Sequence, residues 1–283
     1  MELTKALYEY RTRHFVPWHK ALWLYNKNKN VKLQYVRKRD WGKYKTSDTL
    51  FIFGSGPSIN EITPKQWDII NRHDSFGTNF AFLTNFPMTY FYLGYEPSSN
   101  QILSESFTYN YRKSYENTLW FVPFKFIYRL YHPKIVPTFY PPNTKLALFK
   151  YPAAINFEKR RPFLKSDFSK SLIYRGSIGV VMHLSDIFKY KNIVLLGIDL
   201  HTYKHFYDDF EIMKKEREES YKDMKDDHSF DDLLPNKVTK IKPMKEYYYS
   251  LNDLYFKPNG INLYVGNNNN LLFPKIPMFP EFS

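Results

Sequence analysis

A short turn of small residues is the feature of this chain best suited to chemistry. It reads Gly54-Ser55-Gly56-Pro57-Ser58, called the glycine turn below, and it directly follows the apolar run Leu50 to Phe53. The two glycines allow positive φ and a close approach of backbone to ligand, and Ser58 can cap a following helix. The N–H groups of such a turn can face an anion. The sequence therefore predicts a buried strand that ends in a nucleotide-contacting turn.

The glycine turn departs from two familiar phosphate-binding motifs. Ile59 stands where a dinucleotide fold has its third glycine, and no Gly-Lys-Ser/Thr follows, as a Walker P-loop requires. A nicotinamide oxidoreductase would also carry an acidic residue about 20 residues further on, where Asn79 stands instead. The oxidoreductase alternative is therefore disfavoured.

A second group of polar residues follows another apolar run. Asp199 ends that run, and a carboxylate at the end of a strand commonly contacts a ribose or a catalytic partner, although it can also cap the following turn. Tyr203 and Tyr207, with His201 and His205, offer donors that could stabilise charge on a departing phosphate without a metal. In a chain with 25 tyrosines, such positions also arise from composition alone.

His228 is the candidate general base. It lies in the sequence Asp-Asp-His-Ser-Phe, where carboxylates could orient the imidazole and raise its basicity, although a lone histidine in a charged segment can simply be solvated. The paired aspartates of the chain all lie in this charged segment and none stands alone after a strand, so no metal site is expected.

The elements that must position these residues alternate between strands and helices from Thr49 onward. The run Asn192 to Asp199 is almost wholly apolar, as is typical of a parallel sheet covered on both faces. The sequence predicts an α/β fold with an open, mostly parallel Rossmann-like sheet flanked by helices. The predicted strands are Leu50–Phe53, Asp74–Thr78, Phe91–Gly94, Trp120–Pro123, Asn192–Asp199 and Ile261–Val265; the predicted helices are Pro64–Asn71 and Ser177–Tyr190, the latter with Ser177 as its N-cap.

Ligands of open α/β sheets bind beyond the carboxyl ends of the strands. This rule places the glycine turn, Asn79, Glu96, Ser177 and Asp199 along one edge. Residues 1–46 are predicted to form a basic, aromatic arm, and residues 47–283 a single domain. Residues 204–245 are predicted to form a lid, for which a surface insertion is the alternative.

Composition limits the class of partner. The formal charge of +13 favours an acidic partner: nucleic acid, an anionic membrane face, or an anionic sugar nucleotide with a polyanionic acceptor. The chain has no cysteine, which excludes disulfides and thiolate metal sites. It also has no apolar run near the roughly 20 residues of a membrane-spanning helix. A cytoplasmic protein is expected, with peripheral contact at the inner face of the membrane.

Three blocks together resemble the bacterial sialyltransferases of glycosyltransferase family 42, which transfer a sugar acid from a CMP donor. Phe53 to Ile62 looks like that family's opening strand and Gly-x-Gly-Pro-Ser loop. Ser177 to Asp199 looks like its helix and Gly-Ile-Asp strand, and Tyr264 to Leu272 is similar to its final strand and turn. The resemblance covers residues from about 49 to 210 and the last strand. It implies a Rossmann-like transferase.

The resemblance also implies roles for individual residues. The glycine turn would face the CMP phosphate and ribose, Asn79 would contact the donor, and Ser177 would lie near the cytidine and sugar. Tyr207 falls on one of two family tyrosines that bind the leaving phosphate. The other position is His201 here, with Tyr203 nearby.

Two positions depart from the family pattern. The catalytic histidine has His228 as its nearest counterpart, and Glu96 replaces a family asparagine beside the donor. Related enzymes that transfer Kdo with retention use a Glu, an Asp and a His, which Glu96, Asp199 and His228 would supply. The resemblance thus implies either an inverting sialic acid or nonulosonate transferase or a retaining Kdo transferase.

The combined expectation is a metal-independent glycosyltransferase that uses a CMP-activated 2-keto-3-deoxy sugar acid and needs no cofactor. The acceptor would be a bacterial lipid-linked or polysaccharide glycan, and the basic arm would contact anionic lipid. A basic nucleic-acid-binding protein is the alternative from another class. It would explain the charge but leave the polar residues at the strand ends without a role.

Overall fold

The computed structural model describes residues 34–92, 115–123, 144–149, 176–200, 204–211, 213 and 241–282. The chain divides into two compact units, one formed by Met1–Tyr44 with Thr84–Tyr151 and the other by Lys45–Leu83 with Pro152–Ser283. The described strands are β1 (Gln34–Tyr35), β2 (Thr49–Phe53), β3 (Asp74–Thr78), β4 (Tyr90–Tyr92), β5 (Leu119–Pro123), β6 (Lys145–Phe149), β7 (Asn192–Leu196) and β8 (Asn262–Val265). The described α-helices are α1 (Pro64–Ile70), α2 (Gly176–Phe188) and α3 (Ile241–Leu251).

The first unit carries strands in the order β1-β6-β5-β4, and every pair is parallel. Aromatic side chains fill its core. The ring of Trp41, from the 3₁₀ segment Lys38–Tyr44, meets that of Phe121 edge-on at 5.0 Å. Residues 34–44, which lie in the predicted arm, thus contribute a strand and a core tryptophan to this unit.

The second unit carries strands in the order β3-β2-β7-β8, again all parallel. The chain passes from β2 to β3 on one side and later adds β7 and β8 on the other side. The order therefore reverses between β2 and β7, which is the topological switch point where doubly wound folds bind ligands. All five residues of β2 are buried, and α2 packs against β2 and β3. The predicted α/β fold with a parallel Rossmann-like sheet is confirmed.

Several boundaries differ from those predicted, for local reasons. β7 ends at Leu196 instead of Asp199 because Gly197 takes a positive φ of 61°. α2 ends at Phe188 because Lys189 is left-handed, with a φ of 54°. The prediction that Ser177 is the N-cap of this helix is wrong, since Gly176 already lies inside it. α1 begins at Pro64 as predicted, because Thr63 and Gln66 form a capping box ahead of it.

Two buried carboxylates, away from the carboxyl ends of the strands, hold elements of the second unit together. Asp74, at the start of β3, accepts hydrogen bonds from the backbone and hydroxyl of Thr46 and from the hydroxyl of Tyr190 at 2.6 Å. Asp186, in α2, accepts from the hydroxyl of Tyr255 and from Lys189 Nζ, each at 3.0 Å. Because each carboxylate has charged or polar donors, its burial does not leave an uncompensated charge.

No helix in the described part of the chain is long and apolar enough to cross a membrane. Residues 1–33 of the predicted arm and most of the predicted lid lie outside the described residues. The arm and the lid therefore stay predictions.

Candidate functional site

A cleft of about 290 Å³ opens in the second unit at the carboxyl ends of β2, β3 and β7. Residues that follow these strands line it, together with the first turn of α2, the segment after β7, and α3. The lining residues are Gly54, Ser55, Gly56, Thr78, Asn79, Ser177, Ile178, Gly197, Ile198, Asp199, Leu200, Lys204, His205, Met244 and Tyr248. The cleft thus lies at the switch point and contains most of the described residues that the sequence singled out.

The glycine turn is joined by hydrogen bonds to the end of β7. The amide of Gly54 donates to Leu196 O at 2.8 Å, and the amide of Gly56 donates to Gly197 O at 2.7 Å. Both glycines are needed for this close approach. A Cβ at Gly54 would stand 2.8 Å from Ile198 Cγ1, and one at Gly56 would stand 2.9 Å from Gly197 O.

Asp199 is tied to the same turn by two hydrogen bonds. The amide of Ser58 donates to Asp199 Oδ2 at 3.0 Å, and the Ser58 hydroxyl donates to Oδ1 at 2.5 Å. Asp199 is only 2% exposed. Its carboxylate therefore holds the glycine turn against the residues that follow β7, although Asp199 also lines the cleft.

These bonds change the expectation that the N–H groups of the turn face an anion. The amides of Gly54, Gly56 and Ser58 all donate within the protein, and Pro57 has no N–H. For these positions the expectation of free N–H groups is wrong. Ser55 is different: in the described structure neither its N–H nor its hydroxyl has a hydrogen-bond partner, and the residue lines the cleft.

Asn79 and Ser177 meet at the cleft, as the sequence predicted for the strand edge. Asn79 Nδ2 donates to Ser177 Oγ at 3.0 Å. Asn79 follows β3 with a positive φ of 50°, a conformation that asparagine tolerates better than most residues do. Leu200 also lines the cleft and has a φ of 61°, which is unusual for a branched apolar residue. Backbone held in such conformations is common at functional sites.

The segment after Asp199 is docked on the glycine turn. The amide of Phe206 donates to Ser55 O at 2.9 Å, and Asn60 Nδ2 donates to Phe206 O at 2.8 Å. This docking brings Lys204 and His205 to the cleft. No pattern in the sequence selects Lys204, and His205 was predicted only as one of several donors after the strand. Their short distance in sequence from Asp199 was the available signal.

Tyr207 is buried beside the cleft and is not among its lining residues. Its ring packs against Phe80 at 4.6 Å and stacks on His205 at 5.0 Å. In this position Tyr207 orients the His205 ring, and its predicted contact with a leaving phosphate stays a prediction. The predicted residues Glu96, His201, Tyr203 and His228 lie outside the described residues.

Helix α3 supplies two lining residues that the sequence did not indicate, Met244 and Tyr248. The Tyr248 side chain is only 1% exposed although it lines the cleft. Burial, with a smaller effect of Tyr247, raises the pKa of Tyr248 far above its ordinary value, so the hydroxyl stays a neutral donor. A hydroxyl in this state can donate to an acceptor atom of a ligand in the cleft.

The described part of the chain contains no group of three or more His, Asp or Glu side chains placed to hold a metal ion. Metal independence stays a prediction.

Comparison of the chain with protein-family models, curated proteins and solved structures gives no match. The resemblance to the sialyltransferases therefore depends on the three sequence blocks alone.

Proposed function

We propose that this protein is a metal-independent glycosyltransferase that moves a 2-keto-3-deoxy sugar acid from a CMP donor to a bacterial surface glycan. One observation carries the proposal: the cleft lies at the switch point of a parallel sheet and is lined by Gly54, Ser55 and Gly56 of the glycine turn and by Asn79, Ser177 and Asp199. For the glycine turn, Asn79 and Ser177 the sequence resemblance implies donor contacts, and a carboxylate in the position of Asp199 commonly contacts a ribose. Switch-point clefts are the usual nucleotide sites of this fold class.

The proposed donor has three parts that match the chemistry of the cleft. Its ribose hydroxyls can donate to Asp199, whose charge is already stabilised by Ser58. Its cytosine and sugar would lie near Ser177 and Asn79. Its phosphate, which departs with two negative charges, needs the donors and the positive charge that enter the cleft from Ser55 and from Lys204.

The contacts of Asp199 support the inverting route over a retaining route in which Asp199 is the nucleophile; Glu96, the other carboxylate of that alternative, lies outside the described residues. A retaining enzyme needs a carboxylate that attacks the anomeric carbon. Asp199 is a poor candidate because it is 2% exposed and both of its oxygens accept hydrogen bonds from Ser58. In the inverting reaction, the acceptor oxygen bonds to the anomeric carbon as the bond to the CMP phosphate breaks. The electron pair leaves with the phosphate, and the hydroxyl proton passes to a base, for which His228 is proposed.

The proposed acceptor is a lipid-linked or polysaccharide glycan at the inner face of the cytoplasmic membrane. The net charge of +13 supports an anionic acceptor or membrane surface.

Release of CMP from candidate donors tests the reaction. The full chain is incubated with CMP-sialic acid or CMP-Kdo in the presence of EDTA, with and without a glycan acceptor. Acceptor-stimulated CMP release from one donor, retained in EDTA, supports the proposal. Under the same conditions the H228A variant is expected to lose at least about 100-fold in rate. No CMP release from either donor with any acceptor, alongside tight and salt-sensitive DNA binding, would support the nucleic-acid alternative.

A further inference from the structure

Three residues bring hydrogen-bond donors and positive charge to the cleft. Ser55 contributes an amide and a hydroxyl that have no partner in the described structure. Lys204 is the cleft's permanent cation among the described lining residues, and His205 adds an imidazole. Asp199 is the one described lining residue with an acidic side chain, and Ser58 donates to both of its oxygens.

The relative positions of these groups are fixed by the backbone. The bond from Phe206 N to Ser55 O, 2.9 Å long, holds the end of the Lys204–His205 pair beside the glycine turn. The His205 amide donates to Asp208 Oδ2 at 2.9 Å, and its ring stacks on Tyr207 with planes inclined by 27°. Because these bonds form within the protein, the backbone that carries the donors is already in place before a ligand binds, which lowers the entropic cost of binding.

Tyr248 brings a residue from a distant part of the chain to the same cleft. It comes from α3, far in sequence from the glycine turn, and it is 1% exposed. It lines the cleft together with Ser55 and Lys204, so its hydroxyl is a further donor that a ligand's oxygen can use.

We propose that Ser55, Lys204 and His205 form an oxyanion subsite that holds the phosphate of the donor nucleotide, with the Tyr248 hydroxyl as a further donor. This inference rests on the proposed function and adds the groups that hold the leaving phosphate. The Ser55 amide and hydroxyl bind phosphate oxygens, and Lys204 neutralises charge as the bond to the sugar breaks.

Calorimetric binding of CMP and cytidine to the full-length protein tests the subsite, because the two ligands differ only in the phosphate. The variants are K204Q, S55A and Y248F. K65Q is the matched control, since Lys65 is exposed on α1, outside the cleft, and its replacement changes the net charge by the same amount. We expect K204Q to weaken CMP binding about 10-fold or more, and S55A and Y248F about 3- to 10-fold. Cytidine binding should change less than about 2-fold in K204Q and S55A.

Inorganic phosphate supplies a test that needs no variant. It should compete with CMP for the wild-type protein and leave cytidine binding unaffected. The subsite is overturned if K204Q and S55A bind CMP as tightly as K65Q does, or if phosphate fails to compete. The proposed function fails in a different way. If UMP and AMP bind as tightly as CMP, and K204Q weakens the binding of all three equally, the phosphate subsite is supported and the CMP donor is contradicted.

Discussion

Ser58 and Asp199 lie 141 residues apart in sequence, and both the amide and the hydroxyl of Ser58 donate to the Asp199 carboxylate. The pair joins the turn after β2 to the segment after β7, across the point where the strand order reverses. The Ser58 amide is used in this junction, whereas the N–H of Ser55, which lines the cleft, has no hydrogen-bond partner in the described structure.

Removing the Ser58 hydroxyl should destabilise the fold. In S58A the buried Asp199 carboxylate loses one of two donors from this residue, so the free energy of unfolding should fall by about 1.5–3 kcal/mol. Urea denaturation measures the change. D253N is the control, because Asp253 is an exposed partner of Lys257 and Lys275, and its loss should cost less than about 1 kcal/mol. If S58A is as stable as the wild type, the buried hydrogen bond between the Ser58 hydroxyl and Asp199 does not stabilise the fold, and this prediction is wrong.

Gly56 should tolerate no side chain. A Cβ there would stand 2.9 Å from Gly197 O and collide with the Asp199 carboxylate, so G56A should cost about 1–3 kcal/mol of stability. G42A is the control, because nothing lies within 4 Å of a Cβ at Gly42. Its effect should stay within about 0.5 kcal/mol in the same denaturation experiment. Equal stability of the two variants would contradict the close approach of the turn to β7.

Two replacements of Asn79 separate its backbone role from its side-chain role. At a φ of 50° alanine is strained and glycine is not, so N79A should be about 1–2 kcal/mol less stable than N79G. Both variants lose the hydrogen bond to Ser177 and the proposed donor contact. They should therefore weaken CMP binding to a similar extent, measured by calorimetry. If N79A instead binds CMP more weakly than N79G, in the same order as their stabilities, the result would argue against a donor contact by Asn79.

Tyr255 should make stability depend on alkaline pH. Burial raises the pKa of Tyr255 to about 12, with further contributions from the charge of Asp186 and from the hydrogen bond to it. Because the folded pKa lies above the ordinary value of 10.0, the stabilisation is complete below pH 10 and is lost as the pH rises through about 12.

The Y255F variant isolates this effect. It removes the hydroxyl and should cost about 1.5–3 kcal/mol at neutral pH. The stability difference between wild type and Y255F, measured by urea denaturation at several pH values, should be constant up to about pH 9.5 and shrink above pH 10. A difference that does not change with pH would contradict ionisation of Tyr255 against Asp186.

The sequence was most informative where chemistry and pattern are local. The apolar runs of β2 and β7 predicted the parallel sheet, because strands buried on both faces have continuous apolar sequences. β1 and β6 were missed, since β1 has two residues and the Lys-Leu-Ala-Leu-Phe of β6 has no β-branched residue. These strands depend on pairing with distant chain segments.

The site could be predicted only in part, for a similar reason. The rule that ligands bind at the carboxyl ends of parallel strands correctly placed the glycine turn, Asn79, Ser177 and Asp199 at one edge of the sheet. It could not show which amides of the turn are already used, because their acceptors, Leu196 O and Gly197 O, are about 140 residues away in the chain. Tyr248 gave no signal in sequence, since it lies among consecutive tyrosines on α3.

The nucleotide specificity of the cleft is decided by the binding of CMP, UMP, AMP and GMP to the wild-type full-length protein, measured by calorimetry in EDTA. We expect CMP to bind at least about 10-fold more tightly than the other three, with an affinity that Mg²⁺ leaves unchanged. CMP affinity no greater than that of UMP, AMP or GMP, or CMP binding that appears only with Mg²⁺, would contradict a metal-independent CMP-sugar transferase.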